Sequence, residues 1–158
     1  MIFVTAGSML PFDRLFQLID AAITDGVITD QVYGQIGEGE YLPKNFEYSR
    51  FIDKVEFDER VLSANLVVAH AGIGVIMQAL SSETPLLVLS RKAALGEHVN
   101  DHQVSTAKKF EELGHVVSFE EDTLVEKLEF IKTFKPAPRS PNVAGVGNEV
   151  SKFLATLI

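Results

Sequence analysis

Three short segments combine glycine with polar side chains in patterns that suit a ligand: Thr5–Ser8 (TAGS), His70–Gly74 (HAGIG) and Arg91–Gln103 (RKAALGEHVNDHQ). Glycine allows the main chain to approach a ligand closely, and unpaired amide N–H groups at the start of a helix bind anions. The first two segments therefore predict main-chain binding of an anion such as phosphate. The residues expected to take part are Gly7, Ser8, Gly72, Ile73 and Gly74.

The third segment is dense in ionisable and polar groups, a density that a simple connection does not require. These groups are Glu97, His98, Asp101, His102 and Gln103. His70, His98 and His102 are the candidates for acid–base catalysis, and the sequence does not single out one general base. His98 and His102 stand four apart, which is also the spacing of a metal site on one helical face. We expect the helix to begin at Asn100, after His98, and therefore predict no metal site.

Each segment also has a purely structural explanation. An ordinary strand-to-helix turn accounts for TAGS about as well as a ligand does, and tight packing of helix against sheet accounts for both glycines of HAGIG. His70 can be a structural histidine, and Arg91 can be a solvated surface arginine. The spacing of HAGIG differs from GxGxxG, so the dinucleotide-binding fingerprint is not met.

Hydrophobic patterning predicts the elements that position these segments. Four apolar runs without polar alternation indicate strands buried on both faces of a sheet: Ile2–Val4, Leu66–Ala69, Leu86–Leu89 and Val116–Phe119. Helices are predicted from about Pro11 to Gly26, over Phe57–Ala64, Ile73–Ser81 and Thr123–Ile131, and from Asn100, in a capping box with Gln103, to Gly114. This alternation predicts an α/β fold, a Rossmann-like parallel sheet with helices on both faces. Ligands of such sheets bind beyond the carboxyl ends of the strands, where all three segments lie.

The 158 residues fit one domain with a terminal extension. We assign residues 1–135 to the domain and residues 136–142 to a proline-rich linker. Residues 143–158 are predicted to form an amphipathic helix that docks on another surface. Its apolar stripe consists of Val143, Val146, Val150, Phe153, Leu154 and Leu157.

Composition narrows the class of function. The net charge of −8 makes nucleic acid an improbable partner, because its recognition relies on clustered Lys and Arg. The absence of cysteine excludes disulfides, thiolate catalysis and cysteine-based zinc sites. The N-terminus lacks the basic region of a signal peptide, and no apolar run approaches the roughly 18 to 20 residues of a membrane span. We therefore expect a cytoplasmic protein that is peripheral to a membrane only through a partner.

Three stretches, VTAGSMLPFDRL, VVAHAGIGVIMQAL and LSRKAALGEHVNDHQVSTAKKFEELG, resemble the C-terminal domain of glycosyltransferase family 28 over about residues 1–135. Within that family the chain looks most like the short stand-alone members. These are the PssE-type subunits of bacterial exopolysaccharide assembly and the catalytic subunit of the split eukaryotic dolichol-linked N-acetylglucosaminyltransferase, and the chain is also similar to the donor domain of MurG-like enzymes. The resemblance implies the donor half of a GT-B enzyme, which binds a UDP-sugar without a further cofactor or an obligatory metal. It also implies that a membrane-anchored PssD-type partner holds a lipid-linked acceptor, and that the C-terminal helix docks on that partner.

The resemblance further implies a donor-binding role for twelve residues. They are Gly7, Ser8, His70, Gly72, Ile73, Gly74, Gln78, Arg91, Glu97, Asp101, His102 and Gln103. Three positions depart from the usual family pattern: Gln78 replaces a Glu, Val75 a Thr and Ser90 a Pro. A carboxylate accepts both hydrogen bonds of a ribose diol, whereas the Gln amide has one acceptor oxygen, so Gln78 is expected to bind ribose less well.

Two other hypotheses stay open. The chain can be a non-catalytic module that binds a nucleotide or scaffolds a polysaccharide assembly complex, for which the exchange at Gln78 is the motive. It can also be a self-sufficient small hydrolase or epimerase-like enzyme that uses His70, Glu97, His98 and His102 in acid–base roles. The sequence offers this last hypothesis no serine or cysteine nucleophile motif.

Overall fold

The computed structural model describes residues 1–137. Within them the strands are β1 (Ile2–Thr5), β2 (Val32–Gln35), β3 (Glu47–Ser49), β4 (Leu66–His70), β5 (Leu86–Leu89) and β6 (Val117–Ser118). The α-helices are α1 (Asp13–Thr24), α2 (Lys54–Ser63), α3 (Ile73–Ser81), α4 (His102–Glu112) and α5 (Leu124–Ile131). Short 3-10 helices at Ala93–Leu95 and Glu121–Thr123 precede α4 and α5. The predicted α/β class is confirmed.

The strands form one parallel sheet in the order β3-β2-β1-β4-β5-β6. The chain moves from β1 to one edge, returns to the middle at β4 and then continues to the other edge. At this reversal Ile2 of β1 pairs with Leu66 of β4, and Thr5 pairs with Ala69. Loops that leave neighbouring strands in opposite directions open a crevice at their carboxyl ends. The TAGS and HAGIG segments flank that crevice.

Two apolar layers attach the helices to the sheet. Ile2 and Val4 of β1 belong to the layer covered by α1 and α5, whereas Phe3 belongs to the layer covered by α2, α3 and α4. β4 and β5 alternate in the same way, and all four residues of β5 are buried. The sheet is therefore buried on both faces, as the four apolar runs predicted. This rigid centre fixes the positions of the loops at its carboxyl edge.

The strands and helices predicted within residues 1–137 are all present, and α3 has the predicted bounds of Ile73–Ser81. β2 and β3 were not predicted. β2 ends in Gly34 and Gln35, and β3 is a three-residue edge strand with two exposed side chains, so neither has the apolar pattern of a buried strand. Both are held by parallel pairing with their neighbours.

The capping box predicted at the start of α4 is wrong. The helix begins at His102, and the Asn100 Oδ1 atom accepts from the His102 N–H at 3.0 Å. Gln103 does not reach back to Asn100. Its Oε1 atom instead accepts from the Arg91 N–H at 3.1 Å, because Arg91 follows the adjacent strand β5. His98 lies before the helix, as predicted.

The proposed linker and docking helix extend beyond the residues that the structure describes. Of residues 136–142 only Pro136 and Ala137 are described, and the predicted helix 143–158 lies outside the described part. Ala137 is attached to the turn before β6, where its N–H donates to the Gly114 carbonyl at 2.8 Å. None of the helices in residues 1–137 has both the length and the apolar character needed to cross a membrane.

Candidate functional site

A cleft of about 500 Å³ lies at the carboxyl edge of the sheet, between the loops that follow β1 and β4. Its position matches the crevice where parallel sheets bind ligands. Its lining residues are Gly7, Ser8, Met9, Gln35, Ile52, Lys54, Phe57, Asp58, His70, Gly74, Val75 and Gln78. Five of the predicted site residues are therefore brought together here: Gly7, Ser8, His70, Gly74 and Gln78.

The loop between β1 and α1 supplies unpaired amides to this cleft. Gly7 adopts a φ of +72°, a conformation that side chains rarely allow, and its N–H donates to the Thr5 hydroxyl at 3.0 Å. That hydroxyl donates in turn to the buried Gln35 side chain at 2.8 Å. The N–H groups of Ser8 and Met9 have no partner within residues 1–137. Gly7 thus shapes the turn, and the following residues carry the free donors.

The N-terminus of α3 supplies the second set of amides. Gly72 is the N-cap and offers no side-chain cap, and the first helical hydrogen bond runs from the Ile76 N–H to the Gly72 carbonyl. The N–H groups of Ile73, Gly74 and Val75 therefore lack partners in the described chain. Unpaired amides at a helix N-terminus, together with the helix dipole, favour an anion. The two sets of amides lie on opposite sides of the switch point.

The two glycines of HAGIG have different reasons to be glycine. A Cβ on Gly72 would lie 2.2 Å from the His70 Nε2 atom, so close packing requires glycine there. A Cβ on Gly74 would meet nothing within 4 Å. Close packing against the His70 imidazole, rather than against the sheet, therefore explains the glycine at position 72. Packing does not explain the glycine at position 74.

The His70 ring lies between the two loops. Besides its contact with Gly72, its Cε1 atom is 2.8 Å from where a Cβ on Gly7 would stand. Burial, and to a smaller extent the nearby positive charge of Arg91, lowers the pKa of His70 to about 3. A contact with the Thr5 main chain partly opposes this lowering, but within residues 1–137 the buried Nδ1 atom has no partner at hydrogen-bond geometry. At neutral pH the site therefore contains a neutral imidazole with unused hydrogen-bonding capacity.

The opposite wall of the cleft was missed from the sequence. It comes from the carboxyl end of β2 and from the first turns of α2, and it contains Gln35, Ile52, Lys54, Phe57 and Asp58. Lys54 and Asp58 form an i,i+4 ion pair at 2.9 Å. The available signal was the glycine-rich stretch that directly follows Gln35, because polar residues at a strand end beside glycines are typical of ligand loops.

The third predicted segment uses its polar groups internally. Glu97 accepts from the Arg14 Nε and Nη2 atoms at 2.9 Å each, and also from the Lys92 N–H. Asp101 accepts from the Ala93 N–H at 2.9 Å. With Gln103 bonded to the Arg91 N–H, these residues build their own loop. None of the residues Arg91–Gln103 is among those that line the cleft.

The remaining groups of this segment differ in exposure. Arg91 is not a solvated surface residue, because it is only 2% exposed and its guanidinium donates to main-chain carbonyls of the β1–α1 loop. His102 is exposed, and the His98 Nδ1 atom accepts from the Asn100 N–H at 3.4 Å. His98 is near enough for its charge to lower the pKa of His70, after burial and Arg91. Within residues 1–137 no group of three or more His, Asp or Glu side chains is arranged to hold a metal ion.

A second cavity of about 310 Å³ opens at the opposite, amino edge of the sheet. Ile28, Leu66, Leu128 and Phe134 are among its lining residues. The unpaired helix N-terminus and the partnerless imidazole both lie at the carboxyl edge instead. We therefore place the functional site at the larger cleft.

A parallel sheet with helices on both faces and a cleft at its switch point defines the class of a Rossmann-like α/β domain. Solved structures share this architecture. The solution structure of ALG13 superposes with a TM-score of 0.59 at 23% identity, over 89% of this chain and 90% of that one. MurG from Acinetobacter baumannii gives a TM-score of 0.58 at 19% identity, over 84% of this chain and 40% of that one. The fold thus resembles the donor-binding half of GT-B glycosyltransferases.

The sequence comparisons define the family. The profile of the glycosyltransferase family 28 C-terminal domain matches residues 1–155, and the chain belongs to this family. It is 31% identical over 124 residues to the UDP-N-acetylglucosamine transferase subunit ALG13 of Homo sapiens, covering 73% of this chain. It is 43% identical over 60 residues to the ALG13 subunit of Eremothecium gossypii, covering 38% of this chain. The matched regions are only 10% of the human protein and 28% of the fungal one.

Proposed function

We propose that this chain is the donor-binding, catalytic subunit of a two-component glycosyltransferase. In this proposal it takes a UDP-sugar, and the sugar passes to a lipid-linked acceptor held by a partner subunit. Family membership supports the reaction class. The observation that carries the proposal is the pair of unpaired amide sets, at Ser8–Met9 and at Ile73–Val75, on the two sides of one cleft.

The reaction determines what the cleft has to do. The bond between the anomeric carbon and the β-phosphate oxygen breaks, a bond from the acceptor oxygen to that carbon forms, and the acceptor proton passes to a base. Negative charge develops on the departing UDP. Prealigned N–H donors and the α3 dipole stabilise that charge without reorganising. The neutral imidazole of His70 can donate a further hydrogen bond to the same phosphate.

The rest of the donor fits the remaining walls of the cleft. Gln78, one turn into α3, donates from its Nε2 atom to the Ser82 hydroxyl at 3.4 Å, which leaves its Oε1 atom for one ribose hydroxyl. Ile52 and Phe57 give the opposite wall an apolar surface for the uracil ring of UDP. His70, His98 and His102 stay the candidates for the general base.

Direct donor contacts from Glu97, Asp101 and Gln103 remain predictions. Each of these side chains already has a protein partner, so a contact with the donor would have to replace or share that hydrogen bond. His102 has no such constraint because it is exposed. We therefore assign Glu97, Asp101 and Gln103 mainly to shaping the loop. His102 stays a candidate for direct contact with the UDP-sugar or with the acceptor substrate.

A partner subunit is part of the proposal because residues 1–137 form a single sheet, and the fold resembles only the donor-binding half of a GT-B enzyme. The similar human and fungal proteins are themselves named as subunits of a transferase. We propose a membrane-anchored PssD-type partner that carries the acceptor side, with residues 143–158 as the docking segment. This places the chain at the cytoplasmic face of a membrane, in polysaccharide assembly.

Two measurements test this function in sequence. The first is a UDP titration of the ¹⁵N-labelled full chain, in which the amide signals of Ser8, Met9 and Ile73–Val75 should shift while those of Leu124–Ile131 stay fixed. The second mixes the chain with membranes that contain its partner and with labelled UDP-sugars, and should transfer sugar to lipid. Failure to bind UDP, or failure to transfer from every donor tried, would reject the transferase.

A second function has one specific observation in its favour. Gln78 lines the cleft in place of the carboxylate that is usual in the family, which favours a nucleotide-binding or scaffolding module without turnover. This alternative predicts the amide shifts with UDP but no transfer in the complete complex. The two measurements therefore separate binding from catalysis.

A further inference from the structure

We infer that Arg91 is a positioning residue that holds the phosphate-facing loop in its binding shape, an inference that rests on the proposed function. The sequence presented Arg91 as either a cation for the diphosphate or a solvated side chain. The structure fits neither role, because the guanidinium is buried behind the loop and is not among the groups that line the cleft.

One nitrogen of Arg91 joins the two ends of that loop. Its Nη2 atom donates to the Ala6 carbonyl at 2.7 Å and to the Leu10 carbonyl at 2.6 Å. Between these two carbonyls lie Gly7, Ser8 and Met9, which include the residues with unpaired N–H groups. The separation of Ala6 and Leu10, and with it the conformation of the residues between them, is therefore set by one side chain.

The surroundings favour arginine over any other residue. The guanidinium carbon lies 5.0 Å from the centre of the Phe12 ring, so the planar group is seated on an aromatic face. Burial lowers the pKa of Arg91 to about 10, against an opposing effect of Glu97, and the group stays charged at neutral pH. Lysine has a compact ammonium group in place of the planar guanidinium, so it cannot make the same stacking contact with Phe12.

A second arginine makes the reciprocal contact. Arg14 of α1 donates from Nη2 to the Ser90 carbonyl at 2.9 Å, and its guanidinium carbon lies 5.5 Å from the same Phe12 ring. Arg91 thus bonds to the main chain of the β1–α1 loop, and Arg14, in the helix that follows this loop, bonds to the main chain after β5. This arrangement ties the β1–α1 loop to the end of β5, across the intervening strand β4.

The bonding of Arg91 is incomplete. Its Nε atom is buried and has no hydrogen-bond partner within the described residues. Buried polar groups are almost always paired, so stability alone does not favour an arginine with an unpaired donor at this position. A requirement to fix the loop explains why the residue is an arginine despite that unpaired donor.

The test is the Arg91→Lys variant of the full chain, which keeps a positive charge but loses the fork. Affinities for UDP and for uridine are measured by titration, with Leu128→Ala as a control that removes buried surface from α5, at the opposite edge of the sheet. We expect the Kd for UDP to rise about tenfold and that for uridine to change less than about twofold, because only the phosphates meet the loop. The amide signals of Ser8 and Met9 should move in the free variant.

Equal losses for UDP and uridine, or a loss no greater than that of Leu128→Ala, would overturn the positioning role. Unchanged UDP affinity in Arg91→Lys would show that the planar guanidinium is not needed, and would also reject the positioning role. If Arg91→Lys does not fold, Phe12→Leu removes the aromatic seat alone and should give the same selective loss at smaller size. An unaltered chain that does not bind UDP would instead reject the proposed function on which this inference depends.

Discussion

The glycine junctions and the Arg91–Gln103 segment lie at the same edge of the sheet but use their polar groups in opposite ways. At the junctions after β1 and β4, main-chain N–H groups are left unpaired beside a cleft. In the third segment, Glu97, Asp101 and Gln103 are bonded to groups of the protein itself. The segment with the greater density of ionisable side chains is therefore the less available to a ligand.

Unpaired hydrogen-bonding groups therefore indicate a ligand site better than a high content of polar residues does. The thirteen residues Arg91–Gln103 contain only one short 3-10 helix before α4, so many of their main-chain groups need other partners, and polar side chains supply them. A tight turn before a helix leaves its first amides unpaired by geometry alone. Four substitutions, with three companion variants as controls, test this contrast.

The largest effect is expected from Gly72→Ala. The new Cβ would stand 2.2 Å from the His70 Nε2 atom, so the imidazole has to move out of the junction. Overpacking of this kind costs about 2 to 3 kcal/mol of the free energy of unfolding. We expect UDP affinity to fall by at least about thirtyfold because both amide sets lose their relative placement. Chemical denaturation and calorimetric titration measure the two effects.

Gly74→Ala is the matched control for Gly72→Ala. It adds the same methyl group two residues later, where a Cβ meets no protein atom. The free energy of unfolding should stay unchanged or rise by up to about 1 kcal/mol, because alanine favours a helix. UDP affinity should nevertheless fall if the ligand approaches Gly74. Equal destabilisation by the two substitutions would contradict the packing difference between the glycines.

The next effect is a dependence of stability on pH that arises at His70. Its pKa is lowered from 6.5 to about 3 in the folded chain, so below pH 6.5 the unfolded chain binds the proton more readily. This contribution to stability is fully present above pH 6.5 and is lost as the pH falls toward about 3, at up to about 1.4 kcal/mol per pH unit.

The variant His70→Gln isolates this contribution. Its free energy of unfolding should fall less steeply than that of the unaltered chain between about pH 6.5 and 4.5, and the difference between the two proteins should be constant near pH 8. Carboxylates titrate in both proteins and cancel in the comparison. Parallel curves over the whole range would show that His70 is not held neutral.

A smaller effect is expected from Glu97→Gln in the third segment. The ion pair with Arg14 is partly buried, with side chains 12% and 13% exposed, so its loss should lower the free energy of unfolding by about 1 to 2 kcal/mol. UDP affinity should change less than about threefold because Glu97 does not line the cleft. Glu129→Gln, in an exposed pair with Lys132, should have no measurable effect on stability. A large loss of UDP affinity at unchanged stability would instead make Glu97 a donor contact.

The same comparison shows where sequence reasoning succeeded. Buried strands and α3 were predictable because apolar runs and helical spacing reflect burial in a local window. Gly7, His70 and Gly74 could be placed at the cleft because they lie at the carboxyl ends of such strands or in the loops that follow them. The wall with Gln35 depends on β2, which lacks an apolar pattern and is held by pairing with its neighbours. The structural role of Glu97 depends on Arg14, 83 residues away along the chain, and no local pattern shows such a contact.

The smallest effect is expected from Gln78→Glu. Gln78 lines the cleft one turn into α3, and a carboxylate there can accept two hydrogen bonds from a ribose diol where the amide accepts with one oxygen. We expect UDP and uridine affinities to rise together by about three- to fivefold, because both ligands contain the ribose. Gln78→Leu, which removes both polar atoms, should lower both. If Gln78→Glu lowers the affinity for UDP by charge repulsion but leaves the affinity for uridine unchanged, residue 78 faces the phosphates. The ribose must then lie elsewhere in the cleft.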